Sequence, residues 1–155
     1  MQELMGLIID AGSTSRDKRR FSEIDSWCGK VPDDYILLSK NLGFGFEVDG
    51  RFLVQSIEDA FKYKEYHQKN LRHIHESDSV YFGGGSRISS SDCSRGDDEV
   101  IISNLMNWGS DDNGGMLFWD CVGSPDEWTI IATDCSGVWV RYHMNSIEYL
   151  YSLFS

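Results

Sequence analysis

Apolar residues recur along the chain with two different periods, and each change of period marks a change of element. From Asp17 the run DKRRFSEIDSWCGK places Phe21, Ile24 and Trp27 or Cys28 three or four apart, the spacing of one helix face, and Gly29 follows as a stop. The next run, VPDDYILLSKNLG, predicts a second short helix. Pro32 has the fixed φ suited to a first turn, Asp33 and Asp34 favour the positive end of the helix dipole, and Tyr35, Leu38 and Leu42 line one side as far as Gly43. In FGFEVDGRFLVQS the period drops to two: Phe44, Phe46 and Val48 alternate before Asp49-Gly50, and Phe52 and Val54 after it. That pattern predicts a hairpin with a two-residue turn. Ser56 and Asp59 then resemble a capping box, opening a third helix through about Leu71 with Ile57, Ala60, Phe61 and Lys64 along one side.

Residues 83–98, GGGSRISSSDCSRGDD, have almost nothing to bury and predict a long mobile loop. Beyond it, EVIISNLM is apolar without a clear period, MLFWD and WTIIAT read as strands, and GVWVRY sets Val138, Val140 and Tyr142 against Trp139 and Arg141. The closing run MNSIEYLYSLFS pairs Asn145 with Glu148 as a cap and aligns Ile147, Leu150, Tyr151 and Phe154 as a final amphipathic helix. No internal repeat is visible. The order predicts one α+β domain over residues 1–155, with 1–16 as an N-terminal extension and helices packed on one side of a mainly antiparallel central sheet.

Composition agrees with one domain, since 155 residues with 41% apolar and 13% aromatic content can bury a sizeable core. No stretch reads as a membrane span, and the start MQELMGLIID carries acids where a signal peptide carries lysines, so a cytoplasmic protein is expected. Charge divides the chain unevenly. Residues 1–90 hold 14 acids and 12 bases, whereas residues 91–155 hold 11 acids against Arg95 and Arg141 alone. Such a balance disfavours nucleic acid, whose affinity depends on Lys and Arg releasing counterions, and favours a basic protein partner. Acids that only keep a small protein soluble would give the same composition. The basic cluster Arg16, Lys18, Arg19 and Arg20 reads as a solvated helix start.

The stretch NWGSDDNGGMLFWD, residues 107–120, carries the densest acidic pattern. As a calcium loop it fails at the first position, Gly109, and ends on Asp120 where a bidentate Glu is usual. As a phosphate cradle it lacks the lysine after its glycines. It reads as a hairpin tip, with Asn113-Gly114 supplying positive φ angles and Asp111 and Asp112 satisfying the turn's amides. The cysteines Cys28, Cys93, Cys121 and Cys135 have no C-x-x-C pair and are expected to be reduced and mostly buried. Cys93 beside Arg95 has no histidine near in sequence to act as its base, and His73 and His75 diverge if they lie on a helix. Neither a metal site nor a cofactor is expected. Of the five tryptophans most should be core, with one or two as exposed anchors at strand edges.

The string GSDDNGGMLFWD resembles the glycine-rich turn and acid-ended strand of the SUKH superfamily, which takes its name from a fungal cell-wall regulator and bacterial immunity proteins. VPDDY is similar to that family's Leu-Pro-acid-acid-Tyr helix start, NLGFGF to its following glycine pair, and HMNSIEYLYSLF to its C-terminal helix, in the same order from about Phe21 to Ser155. The resemblance implies an α+β fold and a non-enzymatic role: in bacteria, an immunity protein that neutralises a secreted toxin, often a nuclease. Two other functions stay open, a regulatory interaction module without a toxin and a small hydrolase using Cys93 or the His73 and His75 pair. Charge suggests where a basic toxin would dock, on Asp97, Asp98 and Glu99 at the end of the long loop, Asp111 and Asp112 at the hairpin tip, and Asp126 and Glu127 in the next connection, if these share one rim. The sequence leaves the oligomeric state open.

Overall fold

The computed structural model describes residues 14–15, 21–43, 45–82, 98–135 and 138–153. The basic cluster at 16–20, Phe44, Cys93, Asp97, the rest of the loop up to it and Phe154 lie outside the described residues. Along the chain come β1 (Thr14–Ser15), α1 (Phe21–Asp25), α2 (Asp33–Leu42), β2 (Phe46–Val48), β3 (Phe52–Val54), α3 (Ile57–Lys62) and α4 (Lys64–His75). There follow β4 (Ser79–Phe82), β5 (Asp98–Ile101), a short 3-10 turn, β6 (Leu105–Asp111), β7 (Met116–Asp120), β8 (Thr129–Thr133), β9 (Trp139–Tyr142) and α5 (Ser146–Ser152). The fold is α+β. Seven strands form one sheet in the order β1-β2-β3-β6-β7-β8-β9, with every neighbouring pair antiparallel, and β4 and β5 form a separate two-stranded ribbon.

Both faces of the sheet are covered, which corrects the expectation of helices on one side. On one face Met106, Trp108, Leu117, Trp119 and Ile130 pack with Ile24 of α1, Tyr35 and Leu38 of α2, Ile57 of α3 and Ile147 and Leu150 of α5. On the other, Leu105, Phe118, Ile131 and Trp139 pack with Leu71 of α4 and with Val80 and Val100 of the ribbon. Strand β7 runs between two cores, so Leu117, Phe118 and Trp119 read as a continuous apolar string, whereas a half-solvated strand would alternate. The ambiguous run EVIISNLM resolves into the ribbon's second strand, the 3-10 turn and the start of β6.

The helix ends follow local chemistry. Ser56 accepts a hydrogen bond from the Asp59 amide at 3.1 Å, and Asn145 and Glu148 satisfy each other's amides at 2.8 and 3.0 Å. The predicted third helix is in fact two, interrupted at Tyr63 and running on to His75. Asp34, expected only to favour a helix dipole, is buried and accepts from the Ile147 amide at 3.1 Å, tying the first turn of α2 to the first turn of α5. Burial pushes its carboxyl up, against the hydrogen bonds that pull it down.

β3 pairs only with residues 109–111 of β6, so the N-terminal half of β6 has no strand on that side. Gln68 of α4 fills the gap, donating from Nε2 to the carbonyls of Ser103 (3.1 Å) and Leu105 (3.0 Å). The Gln55 amide reaches the Trp108 carbonyl at 2.8 Å, and Asn107 Nδ2 bridges the β-bulge by donating to Gly109 (2.8 Å) and Leu117 (2.9 Å). Thus beyond the reach of β3 the Leu105 carbonyl is satisfied by a helix side chain and the Trp108 carbonyl by the backbone amide of Gln55. Next to Gln68 on α4, His67 lies edge-on to Phe118, and burial pushes its imidazole below the ordinary value of 6.5. A histidine that folds best uncharged gives stability that is present above its unfolded value and lost as pH falls through its folded one. The midpoint of thermal unfolding is therefore expected to fall between neutral pH and pH about 5 by more in the wild type than in His67→Gln, as followed by circular dichroism.

Candidate functional site

Three turns meet at one end of the sheet, and each presents a carboxylate. The β2–β3 turn closes with the Arg51 amide on the Val48 carbonyl at 3.1 Å; Asp49 and Gly50 take φ of 53° and 63°. The strands first pair at Val48 and Phe52, so Arg51 joins the expected two turn residues as a third. In the β6–β7 turn the Asp111 Oδ1 accepts from the amides of Asn113 (2.9 Å) and Gly115 (2.7 Å). Gly114 takes φ of 85°, while Asn113 does not enter the left-handed region expected of it. A Cβ on Gly115 would overlap the Asp111 carboxylate, which accounts for the second glycine. In the β8–β9 turn Asp134 Oδ1 accepts from the Val138 amide at 3.0 Å, beside Cys135 at φ 60°.

These turns are neighbours in space. The Asp112 amide donates to the Arg51 carbonyl at 2.9 Å. The Cys135 thiol, on an exposed residue, is pushed up by partial desolvation and then by the carboxylates of both Asp134 and Asp111. Asp49, Asp112 and Asp134 are exposed and Asp111 is half-buried. Arg51 contacts Asp49, at 2.6 Å from Nη2 and 2.9 Å from Nε. The rim thus carries four acids against Arg51, which pairs with Asp49, and turn amides hold the carboxylates of Asp111 and Asp134.

The other predicted acids are placed elsewhere. β7 ends at Asp120, opposite Leu105 and Thr129, so the β7–β8 connection with Asp126 and Glu127 lies at the opposite end of the sheet from the β6–β7 tip. Asp126 there accepts from the Asp33 amide at 2.8 Å, capping α2. Glu127 closes a capping box with Ser124, whose backbone and hydroxyl hold the carboxyl below its ordinary value. Glu99 is exposed on β5 of the ribbon, as Asp98 is placed on that strand, and the Glu99 carbonyl lies 3.5 Å from Arg141 Nη2. Asp97 is outside the described residues. One rim therefore unites Asp111 and Asp112 with Asp49 and Asp134, and excludes Asp126 and Glu127. Asp134 carried a signal in the sequence, since in an up-and-down run of strands alternate turns fall at the same end, whereas Asp49 is placed there only by the pairing of β3 with β6.

The remaining chemistry is sparse. Cys28 and Cys135 are exposed, against the expectation of mostly buried thiols, because both occupy turns. Burial pushes the half-buried Cys121 up to about 12, which leaves it protonated and unreactive at neutral pH. His73 and His75 lie on α4, where residues two apart point away from each other. Among the described residues no group of three or more His, Cys, Asp or Glu is placed to hold a metal ion, and no helix is long and apolar enough to cross a membrane. Of the tryptophans, Trp108, Trp119 and Trp139 are buried, while Trp27 and Trp128 are half-buried. No protein-family model, characterised protein or solved structure matches the chain.

Proposed function

We propose that this chain is a non-enzymatic binding protein that docks a basic protein partner on the rim formed by Asp49, Asp111, Asp112 and Asp134, acting as an immunity protein that covers the active site of a toxin. The observation that carries the reading is the convergence of three acid-bearing hairpin turns, two of which orient a carboxylate, Asp111 and Asp134, with their own backbone amides. Side chains already ordered lose little freedom on binding, so their charge is available to the partner. Against a groove lined with Lys and Arg such a rim speeds encounter and excludes a phosphate substrate, with close charge pairs worth on the order of 1.5 to 7 kcal/mol of coupling. The resemblance of residues 109–120 and of VPDDY to the SUKH immunity proteins supports the same role.

Co-expression tests the role and kinetics test the surface. A toxin encoded beside this chain should stop killing cells when the chain is present; equal killing with and without it would exclude the immunity role. Replacing Asp111, Asp112 and Asp134 with Asn keeps each turn's accepting oxygen and removes the charge. Association with that toxin is expected to slow about tenfold or more at low salt and to converge on the wild-type rate as salt rises. An association rate unchanged at both salts would move the contact away from the rim.

A further inference from the structure

The segment that carries the exposed aromatics also carries more bases than acids. Residues 57–75 carry Lys62, Lys64, Lys69 and Arg72 against Glu58, Asp59 and Glu65, a balance of +1, which leaves −12 for the rest of a chain of net charge −11. On these two helices and the Tyr63 junction between them, Phe61, Tyr63 and Tyr66 are 36%, 43% and 61% exposed, and Ile74 is 62% exposed. Tyr66, Lys69 and His73 follow the i, i+3, i+7 spacing of one face of α4, and all three are solvent-facing. The strip continues past Phe61, which stacks on Trp27 at 4.9 Å between ring centroids. Lys30 Nζ lies 5.4 Å from the Trp27 ring and Lys62 Nζ 5.2 Å from the Tyr63 ring.

Isolated apolar residues on a surface need no explanation, but this set has a second property. Among the described residues, none of Lys30, Lys62, Lys64 and Lys69 is in an ion pair, although acids outnumber bases by 25 to 14 in the chain. Aromatic faces hold two of those ammonium groups in place of carboxylates. We infer that the outer face of α3 and α4 docks an acidic segment of a protein, its carboxylates on Lys62 and Lys69 and its apolar side chains against Tyr63 and Tyr66. A nucleic acid would also find rings and lysines here, but the charge of the rest of the chain opposes so dense a polyanion, and Glu58 and Glu65 interrupt the positive track. The surface is separate from the acidic rim, so either can fail without the other.

The probe is a rhodamine-labelled hexapeptide, Glu-Glu-Leu-Glu-Tyr-Glu, titrated with the full chain and followed by fluorescence anisotropy at low and moderate salt. Saturable binding is expected at low salt, weakened about tenfold or more in Lys62→Glu/Lys69→Glu and severalfold in Tyr66→Ser. The rim variants Asp111→Asn and Asp112→Asn should leave it unchanged. Since the substituted side chains are exposed, each variant's melting curve should overlay that of the wild type. Absence of saturable binding at low salt, or binding indifferent to the charge reversal, would overturn the inference. Tighter binding of oligothymidylate than of the peptide would overturn it in favour of single-stranded nucleic acid.

Discussion

Replacing Trp119 with Ala is expected to destabilise the chain by about 3–5 kcal/mol, a large part of the 5–15 kcal/mol that holds a typical domain folded. Trp119 is 1% exposed and sits at the centre of the larger core. Tyr35 meets it edge-on at 4.7 Å, Trp108 stacks on it at 5.6 Å and Trp128 lies at 5.8 Å. Its Nε1 donates to the Ser146 hydroxyl at 3.2 Å, so one side chain of β7 contacts α2, β6 and the start of α5 together. Truncation would remove the transfer free energy of the indole and leave a cavity among rigid rings that cannot collapse into it. Trp119→Phe keeps most of the packing and loses the hydrogen bond, so its cost should be nearer 1 kcal/mol. Urea unfolding monitored by circular dichroism separates the two. Equal midpoints for the Ala and Phe variants would show that the indole's bulk does not organise this core.

What the sequence made legible was local. Helices with a cap and one apolar face were visible because capping and i, i+3, i+4 spacing are decided within a few residues: Ser56, Asn145 and the row Tyr35, Leu38, Leu42 all took the expected places. The acid-rich stretch at 107–120 read as a hairpin for the same reason. What escaped was decided by distant partners. Gln68 looks like a solvated helix residue until an unpaired half of β6 lies beneath it, and Asp34 looks like a dipole effect until the first turn of α5 reaches it. The ribbon strands β4 and β5 flank a polar loop and bury Val80 and Val100 against the second face of the sheet, which no period in either segment announces. The candidate site was half visible. Charge picked out Asp111 and Asp112; the alternation of turns along consecutive strands would have added Asp134 and set Asp126 and Glu127 apart, but only the pairing of β3 with β6 brings in Asp49.

Arg141→Met is expected to cost about 3–5 kcal/mol, whereas the double variant Asp120→Leu/Arg141→Met should lie within about 1 kcal/mol of the wild type or exceed it. The two side chains face each other on the ribbon side of the sheet, 10% and 8% exposed, with Arg141 Nη1 2.7 Å from Asp120 Oδ2. The same nitrogen donates to the Thr129 hydroxyl at 2.5 Å. Asp120 Oδ1 is buried without a hydrogen-bond partner, so this carboxylate depends on Arg141 for much of its compensation. Removing the guanidinium alone strands a buried charge; removing both groups replaces a pair whose attraction barely exceeds its desolvation cost with apolar contact. The reason to keep the pair is then register. β9 is an edge strand, and a slip of one residue against β8 would turn Arg141 toward the apolar core at Val140's place and leave Asp120 alone, a penalty that an all-apolar strand would not impose. The double variant should accordingly be stable yet more prone to edge association, seen as growth in apparent mass with concentration by light scattering. A double variant as unstable as Arg141→Met would show instead that the pair stabilises the fold outright, and a stable, strictly concentration-independent one would remove the register argument.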